Sequence, residues 1–269
     1  MLYRKIQLDE TDENIFLECF VADYTENFIR DAILVIPGGG YCEICSNREG
    51  EPIAQAFMPY GFNAFVLHYS TLEKAKFPRP LIEASKAVVH IKDNAEEYHI
   101  NPDRVFAVGF SAGGHLTASL GTLWHMKEIY DAVPMEYGYN KPAGVIPVYP
   151  VITCFEGTHE VTMQNICGCK NPDDEQKKKY SLEYCVDERT CPMFLVHTAT
   201  DMAVPVKNSL VMAQALSENH IPFELHIFEN APHGMALGNA ITAGNEPLYN
   251  QPSLATWVAS AAEWTKRQR

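Results

Sequence analysis

Positive charge is scarce in this sequence of 269 residues. It contains 21 Lys and Arg against 34 Asp and Glu, which gives a formal net charge of −13 with the histidines neutral. Nucleic-acid binding draws most of its affinity from cations that displace counterions from phosphates, and no stripe of Lys and Arg interrupts the acidic surplus. The composition therefore argues against a nucleic-acid partner, and for the same reason against binding to an anionic membrane surface.

Long hydrophobic runs are also missing. Apolar runs such as 32–36 have the length of a strand, whereas a bilayer span needs about 20 apolar residues. The N-terminal segment alternates apolar and polar residues and then turns acidic, which is unlike a signal peptide. We therefore expect no membrane partner and a cytoplasmic location.

Strong metal or cofactor motifs are absent despite eight cysteines. Two close-set pairs are present, Cys42 with Cys45 and Cys167 with Cys169. Structural zinc sites usually combine two such pairs in a small domain, but these pairs lie far apart in the chain. A core of this size needs no disulfide bonds. We expect no metal and no cofactor, and we interpret the cysteines as buried or incidental thiols.

The sequence does contain a regular alternation of strand-like and helix-like segments. Runs rich in Val, Ile, Leu and Phe are typical of strands buried on both faces of a mostly parallel sheet. They lie at 32–36, 63–69, 104–109, 144–149, 193–198 and 223–228. Period-2 segments at 2–8 and 14–21 predict an antiparallel hairpin at a sheet edge, and amphipathic spacing predicts helices at 81–98 and 254–264. The predicted fold class is α/β, with a doubly wound sheet of about eight strands.

Residues 150–191 break this alternation, because they form a long, polar and irregular connection. Such a connection inside a compact domain is usually functional or partly helical. We expect a single domain over 1–269, with 150–191 as a lid-like insertion before the strand at 193–198. We expect the insertion to lie over the carboxyl edge of the sheet.

The segment 105–115 carries the clearest chemical signal. A buried strand runs into Gly-Phe-Ser-Ala-Gly at 109–113 and continues into a helix. A serine on such a sharp strand-to-helix turn is exposed above the sheet, and the flanking glycines let the backbones pack closely. The helix N-terminus directs backbone N–H groups at an oxyanion beside the serine. Ser111 is therefore the candidate nucleophile.

A serine nucleophile needs a base, and in this strand–turn–helix arrangement the chain order is serine, acid, histidine. His233 lies in a Pro-His-Gly loop shortly after the strand at 223–228. Asp201 follows the strand at 193–198. Because a doubly wound sheet places its sites at the carboxyl ends of its strands, we predict a triad of Ser111, Asp201 and His233.

The strand at 32–36 is followed by Pro-Gly-Gly-Gly-Tyr at 37–41. Backbone N–H groups of Gly39 or Gly40 can join that of Ala112 in an oxyanion hole, where losing one donor typically costs about 100- to 1000-fold in rate. No Gly-x-Gly-x-x-Gly or Gly-Lys-Ser/Thr motif follows, so nucleotide binding is disfavoured.

Together these motifs resemble the α/β-hydrolase esterases of the acetyl esterase and acetylxylan esterase type. The matching segments are 37–41, Arg-Glu-Gly at 48–50, Asn-Pro-Asp-Arg at 101–104, 109–115, Asp201 with Val-Pro at 204–205, and 232–234. The resemblance implies an α/β-hydrolase fold, the triad named above and an oxyanion hole of Gly39, Gly40 and Ala112. One departure is visible. Pro37 stands where the related lipase branch has the histidine of His-Gly-Gly-Gly, so other groups must anchor this loop.

The resemblance also implies a function. It points to a serine carboxylesterase that removes acetyl groups from carbohydrate esters such as acetylated xylo-oligosaccharides, through an acyl-enzyme on Ser111. Four aromatic residues are candidates for a sugar-stacking surface, although such residues are more often core: Tyr41, Tyr69, Trp124 and Phe155.

Three alternatives remain at this point. A feruloyl esterase is the nearest. A serine peptidase of the prolyl oligopeptidase type and a non-catalytic hydrolase-fold binding protein are further removed, because the first class carries a large N-terminal domain and the second usually loses a triad member. An oligosaccharide or small-molecule ester is the expected partner, and assembly into a homo-oligomer is compatible with the sequence.

Overall fold

The computed structural model describes residues 1–268, which form one sheet of eight strands. The strands are β1 (Leu2–Gln7), β2 (Phe16–Val21), β3 (Arg30–Ile36), β4 (Phe62–His68), β5 (Ile100–Phe110), β6 (Gly144–Val148), β7 (Met193–Thr198) and β8 (Phe223–Phe228). Their spatial order is β1-β2-β4-β3-β5-β6-β7-β8. β2 pairs with β1 and β4 in antiparallel fashion, and the other neighbours pair in parallel. The predicted mostly parallel sheet with an antiparallel hairpin at its edge is confirmed.

Helices cover both faces of this sheet. They are α1 (Ser46–Glu49), α2 (Glu51–Phe57), α3 (Arg79–Asp93), α4 (Ala112–Thr122), α5 (Lys127–Ala132), α6 (Glu160–Cys167), α7 (Asp174–Tyr180), α8 (Lys207–Glu218), α9 (Ala240–Ala243) and α10 (Trp257–Thr265). Leu34 of β3 belongs to a buried cluster with Leu81 of α3. Its neighbour Val35 belongs to a second cluster with Phe57 of α2 and Trp257 of α10. Successive side chains of one strand therefore enter two different cores, as a doubly wound sheet requires.

Two predicted helices have different ends in the structure. The helix expected to reach Tyr98 ends at Asp93, because Asn94 takes over the capping of the last turn. Its backbone N–H and its Nδ2 both donate to the backbone oxygen of His90, at 3.2 and 2.7 Å, so its side chain closes the end of the helix. The C-terminal helix begins with a 3-10 turn at Leu254–Thr256 and becomes α-helical only from α10 onwards. None of the helices within residues 1–268 combines the length and apolar character needed to cross a membrane.

The connection expected as an insertion, 150–191, contains α6 and α7 and lies between β6 and β7. Asn165 of α6 donates from Nδ2 to the backbone oxygen of Gly40 at 2.9 Å. This contact places α6 against the loop that follows β3, at the carboxyl edge of the sheet. A single domain with a lid-like insertion stays a prediction.

The turn between β5 and α4 brings backbone segments very close together. A Cβ atom on Gly113 would lie 2.2 Å from the oxygen of Ile36 and 2.3 Å from that of Pro37. A Cβ atom on Gly109 would lie 2.0 Å from Oγ1 of Thr117. Because no side chain fits at these distances, the start of α4 packs directly against the end of β3 and the loop that follows it.

Replacing Gly113 with Ala tests this close approach. Ala is favoured over Gly in a helix by about 1 kcal/mol, but here overpacking should outweigh that gain and lower the free energy of unfolding by about 1–3 kcal/mol. Denaturant titration measures the change. Gly244→Ala is the matched control, because no atom lies within 4 Å of the added Cβ although φ is 57°; its cost should be about 1–2 kcal/mol of backbone strain alone. Wild-type stability of Gly113→Ala would contradict the packing described here.

Candidate active site

Ser111 occupies the turn between β5 and α4 in a strained backbone conformation, with φ 54° and ψ −116°. The turn is held on both sides. The backbone N–H of Ser111 donates to the oxygen of Val148 at 3.1 Å, and its carbonyl accepts from the N–H of His115 at 3.0 Å. A non-glycine residue at positive φ is uncommon and costs energy. Here that conformation places the hydroxyl above the carboxyl edge of the sheet.

His233 lies in the loop after β8 and meets the serine side chain. Its Nε2 is 2.8 Å from Oγ of Ser111, and its Nδ1 is 2.7 Å from Oδ2 of Asp201. The loop is fixed by Tyr249, whose hydroxyl donates to the backbone oxygen of His233 at 3.0 Å. The ring of Tyr149 packs edge-on against the imidazole with centroids 5.0 Å apart.

Asp201 lies in the loop after β7 with its carboxylate fully buried. Its Oδ1 accepts from the backbone N–H groups of Ala203 at 3.0 Å and Val204 at 2.9 Å, and Nε2 of His197 lies 3.6 Å from Oδ2. Burial alone would raise the pKa of Asp201, but the imidazoles of His197 and His233 and the N–H of Val204 outweigh it. The pKa therefore lies well below its usual range and the group is a carboxylate at neutral pH.

The three predicted residues are thus brought together in one hydrogen-bonded chain. Since an ionised Asp201 can only accept, Nδ1 of His233 carries a proton and Nε2 of the neutral ring is left to accept from the Ser111 hydroxyl. This arrangement allows the imidazole to remove the serine proton during attack on a substrate. Its use in catalysis stays a prediction.

The loop after β3 offers free backbone donors beside the serine. Gly39 and Gly40 have φ of 129° and 67°, which only glycine adopts readily. Within residues 1–268 their N–H groups have no hydrogen-bond acceptor. Ala112 is the first residue of α4, where a backbone N–H has no intrahelical partner. These are the donors proposed for the oxyanion hole. The loop lies directly against the serine, because a Cβ on Gly38 would lie only 3.0 Å from Cβ of Ser111.

Two residues anchor the glycine loop in place of the histidine that the related lipase branch has at the position of Pro37. The hydroxyl of Tyr69 donates to the oxygen of Pro37 at 2.7 Å. Glu49, which is almost completely buried, accepts from the N–H of Gly38 at 2.8 Å. Its other oxygen accepts from the hydroxyl of Tyr149 at 2.9 Å. Glu49 therefore connects the glycine loop to the tyrosine that packs on His233. Sequence reasoning noted Arg-Glu-Gly at 48–50 but assigned no role to this glutamate.

The expected sugar-stacking surface does not fit the structure. Tyr41 and Tyr69 are exposed by only 0% and 2%, so neither ring presents a face to a substrate. Tyr41 instead hydrogen-bonds Nδ1 of His115 at 3.0 Å. Trp124 is buried beyond the far end of α4, where its Nε1 donates to the oxygen of Arg189. Phe155 is half-buried in the β6–β7 connection and lines a cavity there that does not include the serine.

Comparison with known proteins places this chain in a family. A family model described as BD-FAE matches residues 18–216. The chain belongs to the BD-FAE family. A solved structure, an acetyl ester-xyloside bifunctional hydrolase from Caldicellulosiruptor lactoaceticus, superposes on this BD-FAE member with a TM-score of 0.82 at 30% identity, covering 98% of this chain and 95% of the other. The α/β-hydrolase fold predicted from the sequence is confirmed.

Two relatives of this BD-FAE member are longer proteins. Endo-1,4-beta-xylanase B of Butyrivibrio fibrisolvens is 41% identical over 221 residues, which are 80% of this chain and 34% of that protein. Acetylxylan esterase of Xylanibacter ruminicola is 27% identical over 262 residues, which are 96% of this chain and 51% of that protein. The chain thus spans about a third and about half of their lengths. The predicted resemblance to the acetyl and acetylxylan esterases is confirmed.

Glu49→Ala tests the anchoring of the glycine loop. It leaves the N–H of Gly38 and the hydroxyl of Tyr149 without their acceptor, and a displaced oxyanion donor costs about 100- to 1000-fold in rate. We expect kcat on an activated acetate ester to fall by that order, and Glu49→Gln, which keeps an acceptor, to lose less. Glu51→Ala removes an exposed carboxylate nearby and is the control. An unchanged kcat in Glu49→Ala would show that the loop is held by other groups.

The lowered pKa of Asp201 predicts a pH-dependent contribution to stability. A carboxylate whose pKa is lower in the folded than in the unfolded state stabilises the folded state. This contribution is complete above the unfolded pKa of about 3.9 and is lost as the pH falls through the folded pKa. The difference in unfolding free energy between wild type and Asp201→Asn should therefore be largest above pH ~4 and shrink below it. Denaturant titrations across this range measure it. A difference that does not vary with pH would contradict the assignment.

Proposed function

We propose that this protein is a serine carboxylesterase that removes acetyl groups from carbohydrate esters such as acetylated xylo-oligosaccharides. The observation that carries the proposal is the hydrogen-bonded chain from Asp201 through His233 to Ser111, beside the free N–H groups of the glycine loop. Esters suit this arrangement, because attack on a carbonyl needs a nucleophile, a base and donors for the oxyanion at one point.

The first half of the reaction forms an acyl-enzyme. Oγ of Ser111 attacks the ester carbonyl carbon while Nε2 of His233 takes the hydroxyl proton. The negative charge that develops on the carbonyl oxygen is met by backbone N–H groups of the glycine loop and of Ala112. When the tetrahedral intermediate collapses, the bond to the alcohol oxygen breaks and that oxygen takes the proton from Nε2. The acetyl group then remains on Ser111 as an ester.

The second half repeats these roles with water. Nε2 of His233 takes a proton from a water molecule, whose oxygen attacks the acetyl carbonyl, and the same N–H groups stabilise the oxyanion. Collapse returns the proton on Nε2 to Oγ of Ser111 and releases acetic acid, which loses its remaining proton to solvent as acetate. Throughout, Asp201 holds the imidazole in the Nδ1–H tautomer and stabilises the imidazolium that forms in each half. The cycle consumes one ester and one water molecule, and the groups of the enzyme return to their starting state.

Support for the acetylated sugar comes from relatives. Acetylxylan esterase of Xylanibacter ruminicola matches 96% of this chain, and the matched Caldicellulosiruptor structure is named as an acetyl ester-xyloside hydrolase. The acidic surface of the chain, with a net charge of −13, is compatible with an uncharged substrate. A cytoplasmic location and a homo-oligomeric state stay predictions.

Ser111→Ala should abolish ester hydrolysis. Removal of the triad serine of a serine protease has cost roughly 10⁶-fold in kcat, and we expect at least about 10⁴-fold here. Release of 4-nitrophenol from its acetate measures the loss. Ser119→Ala, which removes a buried serine hydroxyl further along α4, controls for general damage to that helix. If Ser111→Ala retained most of the activity, another nucleophile would be responsible.

A substrate panel tests the acyl group and the alcohol. We expect kcat/KM to fall steeply from acetyl to butyryl esters and to be lowest for feruloyl esters, and acetate to be released from acetylated xylo-oligosaccharides. A preference for feruloyl esters would favour the alternative named from the sequence. A preference for peptide anilides would overturn ester hydrolysis altogether.

A further inference from the structure

A second histidine lies beside the active site and is not used by the mechanism above. His159 stands at the N-terminus of α6 as its capping residue. Its Nδ1 lies 2.8 Å from Oγ1 of Thr162 and accepts from the backbone N–H of the same residue at 3.4 Å. The ring is half-buried, and this cap fixes its orientation through one nitrogen.

The cap also determines which nitrogen carries the proton. A backbone N–H can only donate, so Nδ1 of His159 accepts, and in the neutral ring the proton is on Nε2. Burial and the nearby His233 lower the pKa of His159, whereas Asp201 acts in the opposite direction. The ring is therefore neutral around pH 7. Its Nε2–H makes no hydrogen bond to any residue in the described part of the chain.

The ring that carries this free donor lies beside the glycine loop. Cε1 of His159 lies 3.8 Å from the position that a Cβ on Gly40 would occupy. Six residues further along the same element, Asn165 donates to the oxygen of Gly40 at 2.9 Å. Asn165 of α6 thus contacts the residue proposed as an oxyanion donor, and His159, the capping residue of the same helix, lies beside it. The influence of His233 and Asp201 on His159 agrees with this position.

We propose that His159 is a substrate-binding residue whose Nε2–H donates a hydrogen bond to an oxygen on the alcohol side of the ester. The carbonyl oxygen already has backbone donors at Gly39, Gly40 and Ala112. An acetyl group offers no other acceptor, so a further donor at this edge can only be used by the alcohol portion. In a sugar ester the acceptor is a hydroxyl or ring oxygen near the ester bond. This assignment rests on the acetyl esterase function proposed above.

The experiment compares two acetate esters that differ in their alcohol. Acetylated methyl xyloside carries hydroxyl groups next to the ester, whereas ethyl acetate has none. His159→Asn keeps a good capping side chain at the start of α6 but removes the distant ring nitrogen. Its matched control is His220→Asn, at an exposed position with φ 58° that asparagine tolerates.

For His159→Asn we expect kcat/KM on the acetylated xyloside to fall about 3- to 10-fold, the effect of one lost hydrogen bond, mostly through KM. Ethyl acetate should be hydrolysed as by wild type, and His220→Asn should match wild type on both esters. Equal losses on both esters, or no loss on either, would overturn the assignment. A wild type that hydrolyses neither ester would instead refute the proposed function, and the assignment with it.

Discussion

The close approach of the β5–α4 turn to the end of β3 is the constraint on which the rest of the site depends. Gly113 packs against the backbone oxygens of Ile36 and Pro37, at a distance that no side chain allows. This contact brings the strained Ser111 next to the loop 37–40, so that nucleophile and oxyanion donors share one point. Because the backbone fixes the positions of the nucleophile and of the oxyanion donors, little side-chain entropy is lost when a substrate binds.

The polar groups around that point are divided into paired and unpaired sets. Gly38 and Pro37 are hydrogen-bonded to Glu49 and Tyr69, which fixes the loop, while the N–H groups of the two following glycines are left without a protein acceptor among residues 1–268. Gly39 and Gly40 are half-buried, and their unpaired donors beside Ser111 are the groups proposed to bind a substrate oxygen. Glu49 extends the fixed part to the histidine loop through Tyr149.

Much of this could be predicted from the sequence, because the signals are local. Ser111 lies in a motif that defines its own backbone conformation, and Asp201 and His233 each follow a recognisable strand in the order the fold requires. The glycine-rich segment at 37–41 likewise indicates a loop at the same sheet edge. For these residues, position along the chain and position in space are linked by the parallel sheet alone.

The rest depends on long-range packing that no local pattern reveals. Tyr41 and Tyr69 look like platform residues because they adjoin the site in sequence, yet both rings point into the core. Glu49 looks like a surface residue, since glutamate is rarely buried, and its partners Gly38 and Tyr149 lie 11 and 100 residues away along the chain. His159 lies in an irregular segment whose path over the sheet is determined by tertiary contacts.

Detection of the acyl-enzyme is the most direct test of Ser111 as the nucleophile. The protein is mixed with excess 4-nitrophenyl acetate, quenched in acid during turnover and digested, and the peptide containing Ser111 is examined by mass spectrometry. We expect this peptide to carry the mass of one acetyl group, on the serine, and the corresponding peptide of Ser111→Ala to carry none. An unmodified Ser111 throughout turnover, or acetyl on another residue such as Cys42, would contradict it.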